Sequence, residues 1–174
     1  MKIKIILILF IVLAGFSGTL LAQKTQKLNN GVNVNVSKPM QLASYASIND
    51  FAKANGIESF NSPEELKNRM IYTVDGMILI YKKTYKNERI DLIKLKESHD
   101  KIAESVDAKK NTSILEDHGY KMLISESNAG NMYQFLIVND SLRLNIAGKL
   151  QFNPAKKPQA KIIMDEIIKT ITFE

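Results

Sequence analysis

Asp75-Gly76 stands between two β-prone runs, Ile71-Tyr72-Thr73-Val74 and Met77-Ile78-Leu79-Ile80-Tyr81, and this commits the chain to an antiparallel sheet. A two-residue hairpin turn of the favoured hand needs positive φ at both central residues, which aspartate and glycine accept at little cost. Both flanks are rich in β-branched and aromatic side chains, the types that fit a pleated, half-buried surface. The second strand extends to about Tyr85.

Other segments fall in place around this hairpin. Residues 23–31 are polar, end in Asn29-Asn30-Gly31, and read as a flexible leader. Val32-Asn33-Val34-Asn35-Val36 alternates strictly, with valine on one face and asparagine on the other, the pattern of an edge or half-exposed strand. Ser47 followed by Asp50 predicts a capped helix over 48–55 stopped by Gly56, with Ile48, Phe51 and Ala52 on one face. Ser62-Pro63-Glu64-Glu65 predicts a second short helix over 63–70, with Leu66 and Met70 inward.

Leu92, Leu95, His99, Ile102 and Val106 recur at helical spacing and predict a helix over 90–107, with Lys109 to Thr112 as a polar loop. Three strands follow, 120–127, 132–139 and 142–152, joined by turn-rich segments into an antiparallel meander. Ala160, Ile163, Met164, Ile167, Ile168 and Ile171 form one wide apolar stripe, with Lys161, Asp165, Glu166 and Lys169 opposite. That is an amphipathic helix laid on a sheet. The expected fold is α+β: an antiparallel β-sheet flanked by helices, with a C-terminal amphipathic helix packed on it.

The first 22 residues are of another kind. Lys2 and Lys4 precede the apolar run Ile5 to Phe16, and small residues lead to Ala22, the pattern of a secretory signal peptide cut after Ala22. The alternative is an uncleaved anchor, since Ile5 to Ala22 is 18 residues without a charge. The division expected is therefore signal peptide 1–22, flexible leader 23–31 and one α+β domain over 32–174, exported to the periplasm or beyond. Without Lys2 and Lys4 there remain 22 basic and 18 acidic residues, and the lysine pairs 82–83, 109–110 and 156–157 stand apart. Nucleic-acid binders gather such charge on one face, so a nucleic-acid partner is not expected. A membrane partner is expected only if residues 5–22 are retained. The chain has no cysteine, which excludes disulfides, a lipidated N-terminal cysteine, thiolate metal sites and a thiol nucleophile.

Little in the chain carries chemistry. Neither histidine, His99 or His118, has a metal-ligand partner one helical turn away. Glu116-Asp117-His118-Gly119 reads as an exposed turn. Glu64-Glu65 and Asp165-Glu166 read as helix-start and solvent-face charges, not as a glycosidase carboxylate pair. No Gly-x-Ser-x-Gly elbow and no phosphate-cradling glycine motif occurs. Tyr72, Tyr81, Tyr85, Tyr120 and Tyr133 could form a stacking platform, although cross-strand aromatic pairs that fill a sheet surface are commoner. No catalytic, cofactor-binding or metal-ligating residue is assigned, and no cofactor is expected.

The runs Gly119-Tyr120-Lys121-Met122, Tyr133 to Val138, Leu144 to Phe152 and Ile163 to Phe173 together resemble the closing strands, helix and terminal strand of the PsbP-like superfamily. The likeness covers 120–174, about a third of the chain. It implies an antiparallel sheet flanked by helices and a non-enzymatic binding or scaffolding role, and it brings no functional residue with it. The function expected is an exported, non-catalytic binding or scaffolding protein of the cell envelope, acting on a protein or small-molecule partner. The alternatives are a small envelope hydrolase using carboxylates or His118, and a membrane-tethered accessory factor.

Overall fold

The computed structural model describes residues 24–28, 31–60, 63–85, 89–105, 111–117, 119–127 and 129–173. The signal segment and His118 lie outside them. Among the described residues no helix is long and apolar enough to cross a membrane.

The hairpin forms as its turn chemistry requires. Asp75 and Gly76 have φ of 48° and 73°, and Val74 pairs with Met77 to register β4 (Met70–Val74) on β5 (Met77–Tyr85). Lys156 reinforces the turn, its Nζ donating to the Asp75 carbonyl at 2.6 Å. From β5 the chain passes through helix α2 (Leu92–Ser105) to the far edge of the sheet. It returns as a meander of β6 (Asn111–Asp117), β7 (Tyr120–Glu126), β8 (Met132–Asn139) and β9 (Leu144–Gln151). With β3 (Met40–Leu42) at the opposite edge, the result is a seven-stranded antiparallel sheet of order β3-β4-β5-β9-β8-β7-β6. The class is α+β.

The strand period of two sends alternate side chains to opposite faces, and both faces are covered. Tyr72, Val74, Met77, Leu79 and Tyr81 point to the first face, where Ala160, Ile163, Met164 and Ile167 of helix α3 (Lys157–Thr170) meet them in one core. Ile71, Ile78 and Ile80 point to the second face and pack on Ile48 and Ala52 of helix α1 (Tyr45–Ala54). Further along that face, Leu92 of α2 packs on Leu123 and Val138. Met77 to Tyr81 is therefore apolar at every position because it is buried on both sides.

A second, three-stranded sheet of order β1-β2-β10 shares the first face with α3. Val32–Val36 is its central strand β2, paired with β1 (Lys24–Leu28) and β10 (Thr172–Phe173), and not an edge. The three valines enter the core while Asn33 and Asn35 lie on the other side. The Asn35 amide donates to Thr170 Oγ1 at 2.8 Å, and the Ser37 amide to Glu166 Oε2 at 2.9 Å, stitching β2 to α3.

Four further expectations are corrected. Residues 24–28, read as leader, form β1, held by main-chain pairing to β2 and by Gln26, whose Nε2 and Oε1 bond Lys38 O (2.8 Å) and the Met40 amide (2.7 Å). Helix α1 starts at Tyr45 and not 48, because Ser44, whose Oγ accepts from the Ser47 amide at 3.3 Å, is the cap. Its end is as expected: Gly56, at φ 64°, lets the Ile57 amide reach back to Ala52 O at 2.9 Å. The helix over 63–70 is only a 3-10 turn, Pro63–Leu66, since Asn68 turns out of helix at φ 58° and Met70 is taken into β4 opposite Tyr81. Finally, the expected loop at 109–112 runs into strand β6, which starts at Asn111.

Candidate functional site

On the first face, α3 does not reach the edge of the large sheet. One flank of the helix bonds to β2 through Glu166 and Thr170, and its interior carries Ile163 and Ile167 into the core. The opposite flank, Lys157, Lys161, Met164, Asp165, Ile168 and Lys169, borders an open groove of about 540 Å³ over β6 and β7. These positions repeat at helical spacing over twelve residues, so the groove runs about 18 Å along the helix.

Its floor is apolar: Ile124 and Tyr133 from the strands, Met164 and Ile168 from the helix. Leu115 on β6 also lines it and is 44% exposed, the place where the sheet outruns its covering helix. The sides are charged. Glu126 on β7, cross-strand neighbour of Tyr133, forms an ion pair with Lys157 on α3 that joins the two walls at one end. Lys161 and Asp165 pair along the helix at 2.7 Å. Toward the C-terminus of α3 lie Lys169, which makes no ion pair with a described residue, and Asp117 on β6.

These contacts move the proton equilibria of the walls. Burial, and then the nearby Glu126 charge, holds the Tyr133 phenol above the usual tyrosine range. The hydrogen bond to Glu126 raises Lys157, and the bond to Asp165 raises Lys161, so both ammonium groups are favoured.

The groove unites residues that the sequence left apart. Glu116, Asp117 and Asp165 line it together, whereas Glu166, adjacent to Asp165, turns away to bond Ser37. Glu64 lies far from it in the chain, exposed and paired with Lys67 at 3.2 Å. His99 lines a different groove on the second face. The tyrosines do not converge. Tyr72 and Tyr81 stack in the core at 6.1 Å, Tyr120 meets the edge of Phe173 at 5.1 Å, Tyr85 is exposed, and Tyr133 alone reaches the groove. Among the described residues no group of three histidine, aspartate or glutamate side chains is placed to hold a metal ion.

Ile124, Glu126 and Lys157 were not anticipated. The signal for two of them was present: alternation along β7 places Tyr120, Met122, Ile124 and Glu126 on one face, so a carboxylate continues an apolar row. Comparison with known protein families, with curated proteins and with solved structures finds no match to this chain.

Proposed function

We propose that the chain is an exported, non-catalytic binding protein whose first-face groove takes a small amphiphile, an apolar body with an anionic head. The observation that carries this is the pairing of an apolar floor, Ile124, Tyr133, Met164 and Ile168, with a Lys169 ammonium that forms no ion pair with a described carboxylate. The volume of about 540 Å³ falls within the ordinary range for small-molecule sites. Apolar surface left open beside a helix gives the driving force, and the charged walls orient the ligand. The likeness of residues 120–174 to the PsbP-like superfamily points the same way, since it implies a non-enzymatic role. Export rests on Lys2, Lys4 and the apolar run that follows them. Retention of residues 5–22 would make the same domain a membrane-tethered factor, and intact-mass measurement of protein recovered from its host separates the two.

The groove is tested by titrating the chain with anilinonaphthalene sulfonate and displacing it with dodecanoate. Saturable, displaceable binding is expected, weakened by Leu115→Glu, a substitution at a half-open position that leaves the melting temperature near its original value. Binding that dodecanoate cannot displace, or that Leu115→Glu leaves untouched, removes the proposal.

A further inference from the structure

The second face carries a different kind of groove. Between the core under α1 and the core under α2 lies a trough of about 490 Å³, and the strand register draws a polar row across it. Ser125 on β7 is paired with Gln134 on β8, and Gln134 with Lys149 on β9. Side chains directly opposite on neighbouring antiparallel strands sit about 5 Å apart, so the row offers hydroxyl, amide and ammonium groups in regular succession. Arg69, just before β4, and His99 on α2 stand at its sides.

Two observations indicate what this row is for. The first is its charge: Arg69 and Lys149 line the trough, and no described aspartate or glutamate does. The Arg69 guanidinium makes no ion pair with a described residue, and Lys149 is held in place over the Phe60 ring at 5.3 Å. The second is Ser125, a residue only 4% exposed whose hydroxyl nevertheless opens into the trough, where it is accessible and makes no hydrogen bond to a described residue. A hydroxyl presented in this way, beside a planar donor fork that pairs with no described carboxylate, has the chemistry of an oxyanion site.

We infer that the trough binds a small hydroxylated oxyanion, a sugar acid or sugar phosphate. Arg69 grips the carboxylate or phosphate, Lys149 adds charge, and Ser125 and Gln134 bond its hydroxyls. The site is separate from the groove beside α3, on the other side of the sheet, and does not depend on it.

The test is a titration of the isotope-labelled full chain followed by amide resonances, with glucuronate and inorganic phosphate as probes and glucose as the neutral control. Saturable shifts confined to the region of Ser125, Gln134 and Lys149 are expected from at least one oxyanion and not from glucose. Response to glucuronate alone assigns a carboxylate ligand, and response to phosphate assigns a phosphoryl one. Arg69→Gln, at an exposed position, is expected to weaken binding about tenfold or more. Ser125→Ala weakens it less, and Lys101→Gln, on the exposed side of α2, leaves it unchanged. Equal response to glucose, no saturation by either oxyanion up to about 10 mM, or equal losses from Arg69→Gln and Lys101→Gln would each overturn the inference.

Discussion

The two faces of the seven-stranded sheet are built from the same strands and carry opposite chemistry in their open parts. On the first face the helix stops short of the edge, leaving Leu115, Ile124 and Ile168 around an apolar groove whose charges are mostly paired. On the second face two helices stand apart, and the uncovered strip between them carries a polar row and cations, with no described carboxylate. A sheet wider than its helices exposes something on each side. What it exposes is set by which of two alternating residues faces out, so Ile124 and Ser125, adjacent in the chain, serve different surfaces.

The sharpest test asks whether the faces are equal where both are closed. Leu79 and Ile80 are neighbours on β5, 2% and 0% exposed, facing α3 and α1 respectively. Truncation of either to alanine is expected to cost about 2–5 kcal/mol by denaturant unfolding. A cost under about 1 kcal/mol at Ile80 would show that α1 contributes little and would break the parity. Gly148, which the Phe135 ring crosses, comes next. A Cβ there would lie 2.8 Å from Phe135 Cε2 and 2.7 Å from Ile80 O, so Gly148→Ala is expected to cost about 1–3 kcal/mol. Phe135→Leu in the same chain should recover part of that loss.

Alkaline pH should weaken the first face through two buried tyrosines. Burial raises the phenols of Tyr81 and Tyr133 above the ordinary tyrosine value of 10.0, and both belong to the core on that face. A raised folded-state value means that the stability is fully present below pH 10 and is lost as the pH climbs from there toward the folded-state values, because only the unfolded chain ionises freely. Unfolding free energies measured from pH 9 upward should fall, and Tyr81→Phe should flatten the fall. The smallest effect is expected at the ion pair that closes the first groove. Glu126→Gln should leave the unfolding free energy nearly unchanged, since the Lys157 ammonium is well solvated. Its signature is a lower Lys157 pKa, read by side-chain NMR, because the Glu126 bond is what raises it.

Much of the fold was legible for local reasons. Asp75-Gly76 carries its own turn geometry, and the stripe from Ala160 to Ile171 carries the period of a buried helix face. What was missed lies where tertiary pairing overrides weak local signals. Lys24–Leu28 has few apolar residues and becomes a strand because β2 offers it a ladder. Asn111–Asp117 closes the sheet as an edge strand, with no described strand on its outer side, and its mixed polar pattern suits that place. Met70 could end a helix turn or begin a strand, and pairing with Tyr81 decided it. The candidate sites were less legible still. Ser125, Gln134 and Lys149 are set in line only by the register of three strands, and Arg69, eighty residues before Lys149, comes to their side only in the folded sheet.

By itself, the sequence determined the antiparallel hairpin, the covering C-terminal helix, the cysteine-free core and the α+β class. These follow from backbone preferences and hydrophobic period, which act over a few residues. The tertiary structure decided the seven-strand width, the central place of Val32–Val36 and the two grooves. Those depend on how far a helix reaches across a sheet and on which distant side chains the strand register sets side by side, and no local stretch of chain carries that information.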